Sequence, residues 1–142
     1  MTAPTLNGAV LAGAERATRA VLDRLLARTG TSFHQYLAMN LTAAQGGTVE
    51  RDQLVARLVG GLKLEPTTIR ADLDGAEDAG LLHTEAGVTS LTDAGRDRFA
   101  QITAATNEVT ARIYADLPAE DLAVAGRMLT IVTERANAEL AS

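Results

Sequence analysis

The side chains best placed to do chemistry in this chain are Thr67, Thr68 and Arg70, early in the run LEPTTIRADLDGAEDAGLL at Leu64 to Leu82. A guanidinium pairs in a bidentate way with guanine O6 and N7, and threonine contacts phosphate or a thymine methyl. A helix that enters a major groove turns its first residues to the base edges. This run therefore has the pattern of a reading helix. Side chains that could meet phosphate stand around it in sequence: Arg51, Arg57 and Lys63 before it, and Arg96 and Arg98 after it, with His83 and Thr84 between. Against them the run carries Glu65, Asp72, Asp74, Glu77 and Asp78 with Arg70 as its single cation. A duplex is a dense line of negative charge, so this acidity opposes the reading that the residue order suggests. Asp74, one turn beyond Arg70, is expected to hold that guanidinium as an i, i+4 pair. Arg96 has an alternative to phosphate, an anchor that ties the following helix to the wing through a carboxylate such as Asp93 or Asp72.

A second cluster, Phe33, His34, Tyr36, Met39 and Asn40, is the most aromatic stretch of a chain with only two Phe, two Tyr and no Trp. Apolar walls with a few polar anchors are what a small-molecule pocket needs, so these five are the candidate effector pocket. The same spacing also suits a helix face packed in a core. Catalytic signals are missing. His34 and His83 lack a metal-type spacing, and Gly60-Gly61 is not followed by the Lys-Ser or Lys-Thr of a phosphate loop. No nucleophile–base arrangement is visible. With no cysteine in 142 residues, thiolate metal sites and cysteine nucleophiles are excluded. The expectation is a protein that is not an enzyme, with no catalytic residue, metal or cofactor.

The elements that must position these residues follow from apolar spacing and breakers. Residues 7–28 form one amphipathic helix with Val10, Ala14, Ala17, Val21 and Leu25 on a face, stopped by Gly30. A second helix, 32–44, is capped by Thr31 or Ser32 and broken by Gly46-Gly47. Thr48-Val49 reads as a short strand and Arg51–Val59 as a third helix. Gly60-Gly61 then opens a turn to Glu65 about four residues longer than the usual three to four. Pro66 fits the first position of a fourth helix over 66–79, with Ile69, Leu73 and Ala76 inward and Gly80 as its stop. Leu81-Leu82 and Val88–Ser90 pair as a hairpin with its tip at Glu85-Ala86-Gly87. Thr92 caps a long fifth helix, and Asp116-Leu117-Pro118 precedes a sixth with the stripe Leu122, Ala125, Leu129, Val132, Ala136 and Leu140.

Helix, glycine stop, hairpin and helix start, in that order, make a winged helix-turn-helix. The expected architecture is mainly α with a small β-hairpin, one domain over 1–142. The winged-helix lobe spans about 32–99, between long helices at about 7–30 and 100–142. Those outer helices carry apolar stripes with too little chain to cover them, which points to two-fold pairing with a second copy. The net charge of −5 offers no general attraction to nucleic acid or anionic lipid. No apolar run approaches the roughly 20 residues of a membrane helix. The first residues lack the basic start of a secretory signal. A cytoplasmic protein is expected.

These residues resemble the MarR family of winged-helix transcriptional regulators over nearly the whole chain. SLTDAGRDRF at Ser90 to Phe99 is similar to the family's strand-to-helix motif, TTIRADLDGAEDAGLL to its recognition helix, and DLPAEDLAVAGRMLTIVTERANAEL to its last dimerisation helix. The wing departs from the pattern, since HTEAGVTS has no Arg or Lys. The resemblance implies a homodimeric repressor that binds double-stranded DNA at a pseudo-palindromic site and responds to a small aromatic effector. The acidic helix and charge-poor wing favour a rival: a degenerate winged-helix dimer that binds a small molecule or protein partner and no longer binds DNA.

Overall fold

In the computed structural model, which describes residues 3–142, six helices and three short strands follow in the order α1 (Gly8–Ala27), α2 (Phe33–Ala44), β1 (Thr48–Glu50), α3 (Arg51–Leu62), α4 (Pro66–Asp78), β2 (Leu82–Glu85), β3 (Val88–Leu91), α5 (Asp93–Ile113) and α6 (Ala119–Ala141). The chain divides into two compact units, Met1–Asn107 and Glu108–Ser142.

In the first unit, local chemistry sets the helix ends. Asn7 caps α1 by accepting from the Val10 N–H. Ser32 starts α2 with a full capping box, its side chain accepting from Gln35 N–H while the Gln35 side chain accepts from Ser32 N–H. Such a box satisfies two otherwise orphaned donors. Gly80, at φ +77°, ends α4. Its N–H donates to Glu77 O and the Leu81 N–H to Ala76 O, the paired bonds of a Schellman stop.

The third helix departs from expectation. Gly60-Gly61 does not break it, and α3 runs on to Leu62. Val59 and Leu62 pack against the core from this last stretch. Burying such side chains is worth about 1.5–3 kcal/mol each when complete, against about 1 kcal/mol per helical glycine. Lys63, left-handed at φ 58°, closes the helix with its N–H on Val59 O. The connection to α4 is therefore Lys63-Leu64-Glu65, an ordinary helix-turn-helix length rather than an extended one.

The sheet has three strands in the order β1-β3-β2, all antiparallel. It is thus larger than the expected hairpin, because Thr48–Glu50 pairs with Ser90–Val88. Ala86 and Gly87 form a two-residue tip, both at positive φ (51° and 77°), the geometry of a type I′ turn. One core joins the helices to the sheet: Leu26, Met39, Leu54, Ile69, Leu73, Leu81 and Ile102 are almost wholly buried.

In the second unit, α6 has no buried residue. Val124, Met128, Val132 and Leu140 are exposed along it, as are Ile113, Tyr114 and Leu117 before it. Among the described residues, no helix is long and apolar enough to cross a membrane.

Candidate nucleic-acid interface

Helix α4 buries Ile69, Leu73 and Ala76, a three- and four-residue spacing that fixes its rotation. Thr67, Thr68, Arg70 and Ala71 are consequently exposed on its first two turns. Pro66 is the first helical residue, and Glu65 occupies the cap without a side-chain bond. Neither threonine acts as the cap, so both hydroxyls stand on the surface.

The acids of α4 are distributed differently from expectation. Asp72 turns to α2, where its Oδ2 lies 2.6 Å from His34 Nδ1. Asp74 does not hold Arg70. It accepts from Arg51 Nη2 at 2.8 Å, and Glu77 Oε1 lies 3.3 Å from Arg51 Nη1. Arg51 starts α3 on the opposite side of the turn, and two carboxylates outcompete a solvated i, i+4 partner worth only about 0.3–0.5 kcal/mol. Three of the five acids thus have a basic partner within the protein. Arg70 has no ion pair among the described residues.

The other expected phosphate contacts scatter. Arg57 is exposed on α3 and lines a cleft against α2. Lys63 sits in the helix-turn-helix connection, and its Nζ donates to Gly60 O. His83 is exposed on β2, 3.8 Å from Glu85 Oε2. Arg96 pairs with neither Asp93 nor Asp72. Its guanidinium instead lies beside Gly47, where an added Cβ would stand 3.1 Å from Nη2. Arg98 is structural, with Nη1 donating to Thr29 O at 2.8 Å and lying 3.1 Å from Thr31 Oγ1. The wing tip, Ala86-Gly87, presents no cation.

The five residues of the expected effector pocket part company. Met39 is fully buried in the core. Tyr36 stacks on Phe99 with ring centroids 6.1 Å apart, and His34 is held by Asp72. Phe33 and Asn40 do come together, in a cleft of about 370 Å³ between α2 and α3. Leu37, Leu41, Leu58 and Leu62 supply its apolar walls, and Arg57 joins Asn40 as polar lining. Sequence spacing missed the leucines because they lie on two helices joined only by the fold. The four-residue step from Leu37 to Leu41 along α2 was visible, but which face α3 would meet was not.

No family model and no curated protein matches the sequence. Solved structures do match. Ligand-free NadR is 20% identical with a TM-score of 0.78, over 97% of this chain and 100% of that one. A MarR-family transcriptional regulator from Silicibacter pomeroyi is 23% identical with a TM-score of 0.68, over 89% of each chain. A Mycobacterium tuberculosis MarR-family protein in complex with salicylic acid is 21% identical with a TM-score of 0.66, over 91% of this chain and 99% of that one. The chain has the MarR winged-helix fold.

Within this MarR fold the motif at Ser90 to Phe99 has a mechanical meaning. Thr92 Oγ1 donates to Gly80 O at 2.6 Å and accepts from the Gly95 N–H at 2.9 Å. The Thr92 N–H donates to Leu81 O. One threonine thus fastens the start of α5 to the end of α4. That sets where the candidate reading helix stands relative to the sheet.

Proposed function

We propose that this chain is a DNA-binding transcriptional regulator that works as a homodimer on a pseudo-palindromic site. The observation that carries the reading is the outward face of Thr67, Thr68 and Arg70 on the first turns of α4, with Asp72, Asp74 and Glu77 drawn to His34 and Arg51. An unpaired arginine at that place suits bidentate guanine recognition. Lys63, Arg57, Arg96 and His83 contribute phosphate contacts from outside the helix, and Arg51 joins them once it leaves Asp74.

Pairing with a second copy is supported by α6, a helix of 23 residues with no buried side chain. Exposed stripes of that length occur where a symmetric partner covers them. Two copies would set α4 in successive major grooves, with half-sites about one helical turn apart. The sign of action we favour is repression by occlusion of a promoter, in the cytoplasm, with no catalytic step.

The cleft between α2 and α3 is the effector site of this reading. Its volume of about 370 Å³ falls in the range of small-molecule pockets. A small aromatic acid would lie against Phe33 and the leucines, with Asn40 and Arg57 toward its carboxylate. A bound ligand changes DNA affinity only through unequal affinity for the free and DNA-bound arrangements.

The test is titration against genomic fragments, including the region upstream of the chain's own reading frame. Selective binding that weakens with salt and is lost in Arg70→Ala supports the regulator. Binding to no fragment at low salt, with a dimer that still takes up an aromatic acid, supports the rival that the cation-free wing favours: a winged-helix dimer without DNA binding.

A further inference from the structure

The start of α3, the wing and α4 meet at one residue. The Arg51 N–H donates to Gly87 O at the wing tip, at 2.9 Å. Its guanidinium reaches α4, with Nη2 2.8 Å from Asp74 Oδ1. The second half of that guanidinium is less well served. Nη1 is 3.3 Å from Glu77 Oε1, but the alignment is too poor for a hydrogen bond, and both atoms are buried without a hydrogen-bond partner. Exposure is unequal across the clasp: the Arg51 side chain is 21% exposed and that of Asp74 66%. The carboxylate therefore faces solvent and any ligand arriving there. Asp74 also lies one turn from Arg70, and i, i+4 neighbours stand only about 5–6 Å apart at Cβ. A duplex read by Arg70 must come close to this clasp.

We propose that Asp74 is a built-in competitor for Arg51, a carboxylate that DNA phosphate must displace before Arg51 adds to binding. Carboxylate and phosphate offer a guanidinium the same fork of acceptor oxygens. The exchange is feasible because a pair with one solvent-facing partner is weak, and because Nη1 has no aligned bond to lose. The clasp sets the affinity of a lobe whose wing brings no Arg or Lys. It keeps non-specific binding low, since Arg51 is engaged by Asp74 until a duplex is seated. The acidity of α4 then has a use: part of it restrains a cation, and not all of it repels DNA.

This inference rests on the DNA-binding reading, and its test separates the two. Affinity for one selected fragment is measured across a salt series for the wild type, Asp74→Asn, Arg51→Gln and the double variant. Thermal melts check that each remains folded, and Asp74→Ser repeats the measurement with a different side chain. The expected result is that Asp74→Asn binds about 3- to 10-fold tighter and steepens the dependence of log K on log salt by about 0.9, the increment of one further phosphate contact. In the Arg51→Gln background the same change should give no gain. An equal gain in both backgrounds means general repulsion and overturns the proposal, as does unchanged or weaker binding by Asp74→Asn. If the wild type and every variant bind no fragment selectively at low salt, the DNA-binding reading itself falls and takes the competitor with it.

Discussion

The carbonyl oxygen of Leu81 occupies the place where a side chain on residue 95 would begin. A Cβ built at Gly95 falls far inside van der Waals distance of that oxygen. The contact holds the first turn of α5 against the strand that follows α4, with Thr92 bridging the same junction. Gly95→Ala should therefore destabilise the protein by about 3 kcal/mol or more, because backbone rather than a flexible side chain would have to move. Chemical denaturation measures this directly, and a loss under about 1 kcal/mol would mean that the junction is loose.

The wing tip predicts the opposite sign. Ala86 sits at φ 51°, in the left-handed region that a Cβ disfavours. Ala86→Gly or Ala86→Asn should stabilise the protein by about 0.5–1 kcal/mol, since both residues suit a type I′ turn. The midpoint of denaturation should rise with an unchanged slope.

His34 and Asp72 join α2 to α4 across 38 residues of sequence, and each side chain is about a third exposed. A double-mutant cycle with His34→Ala and Asp72→Ala should return a coupling of about 0.5–1 kcal/mol, in the range of partly exposed pairs. A coupling near zero would show that the 2.6 Å contact adds nothing to the packing of the two helices.

Val132 and Met128 stand exposed on α6, at 42% and 38%. If a second copy covers that face, Val132→Glu buries a charge without a partner, a cost of several kcal/mol. Sedimentation should show a dimer for the wild type and a monomer at the same concentration for the variant. A wild-type monomer at high concentration would remove the pairing reading.

Most of the architecture was legible because it is written in local chemistry. Ser32, Gly30, Pro66, Gly80 and Thr92 mark their helix ends with capping or breaking groups: Ser32, Pro66 and Thr92 lie within a residue of the observed starts, while Gly80 stands two residues past Asp78 and Gly30 three past Ala27. Gly60-Gly61 misled for a physical reason. Propensity costs a helical glycine about 1 kcal/mol, and only the folded packing of Val59 and Leu62 reveals that this cost is offset. Strand β1 was visible as two residues, while its pairing with β3 needed the register. The candidate site was harder. That Thr67, Thr68 and Arg70 face outward follows from the spacing of Ile69, Leu73 and Ala76. The partners of Asp72, Asp74 and Arg51 do not, since they are 38 and 23 residues apart. Local pairing rules assigned Asp74 to Arg70, and the true partner came from another helix. The aromatic cluster on α2 divided for the same reason, because one helix turned its residues toward a core, a contact between His34 and Asp72, and a cleft.

The central claim, that α4 reads DNA through Arg70, is tested most directly by the salt dependence of affinity for a selected fragment and a scrambled one. Arg70→Ala should cost about 1–3 kcal/mol on the selected fragment and little on the scrambled one. For both fragments log K should fall linearly with log salt. Equal losses on the two fragments, or none on either, would contradict the claim.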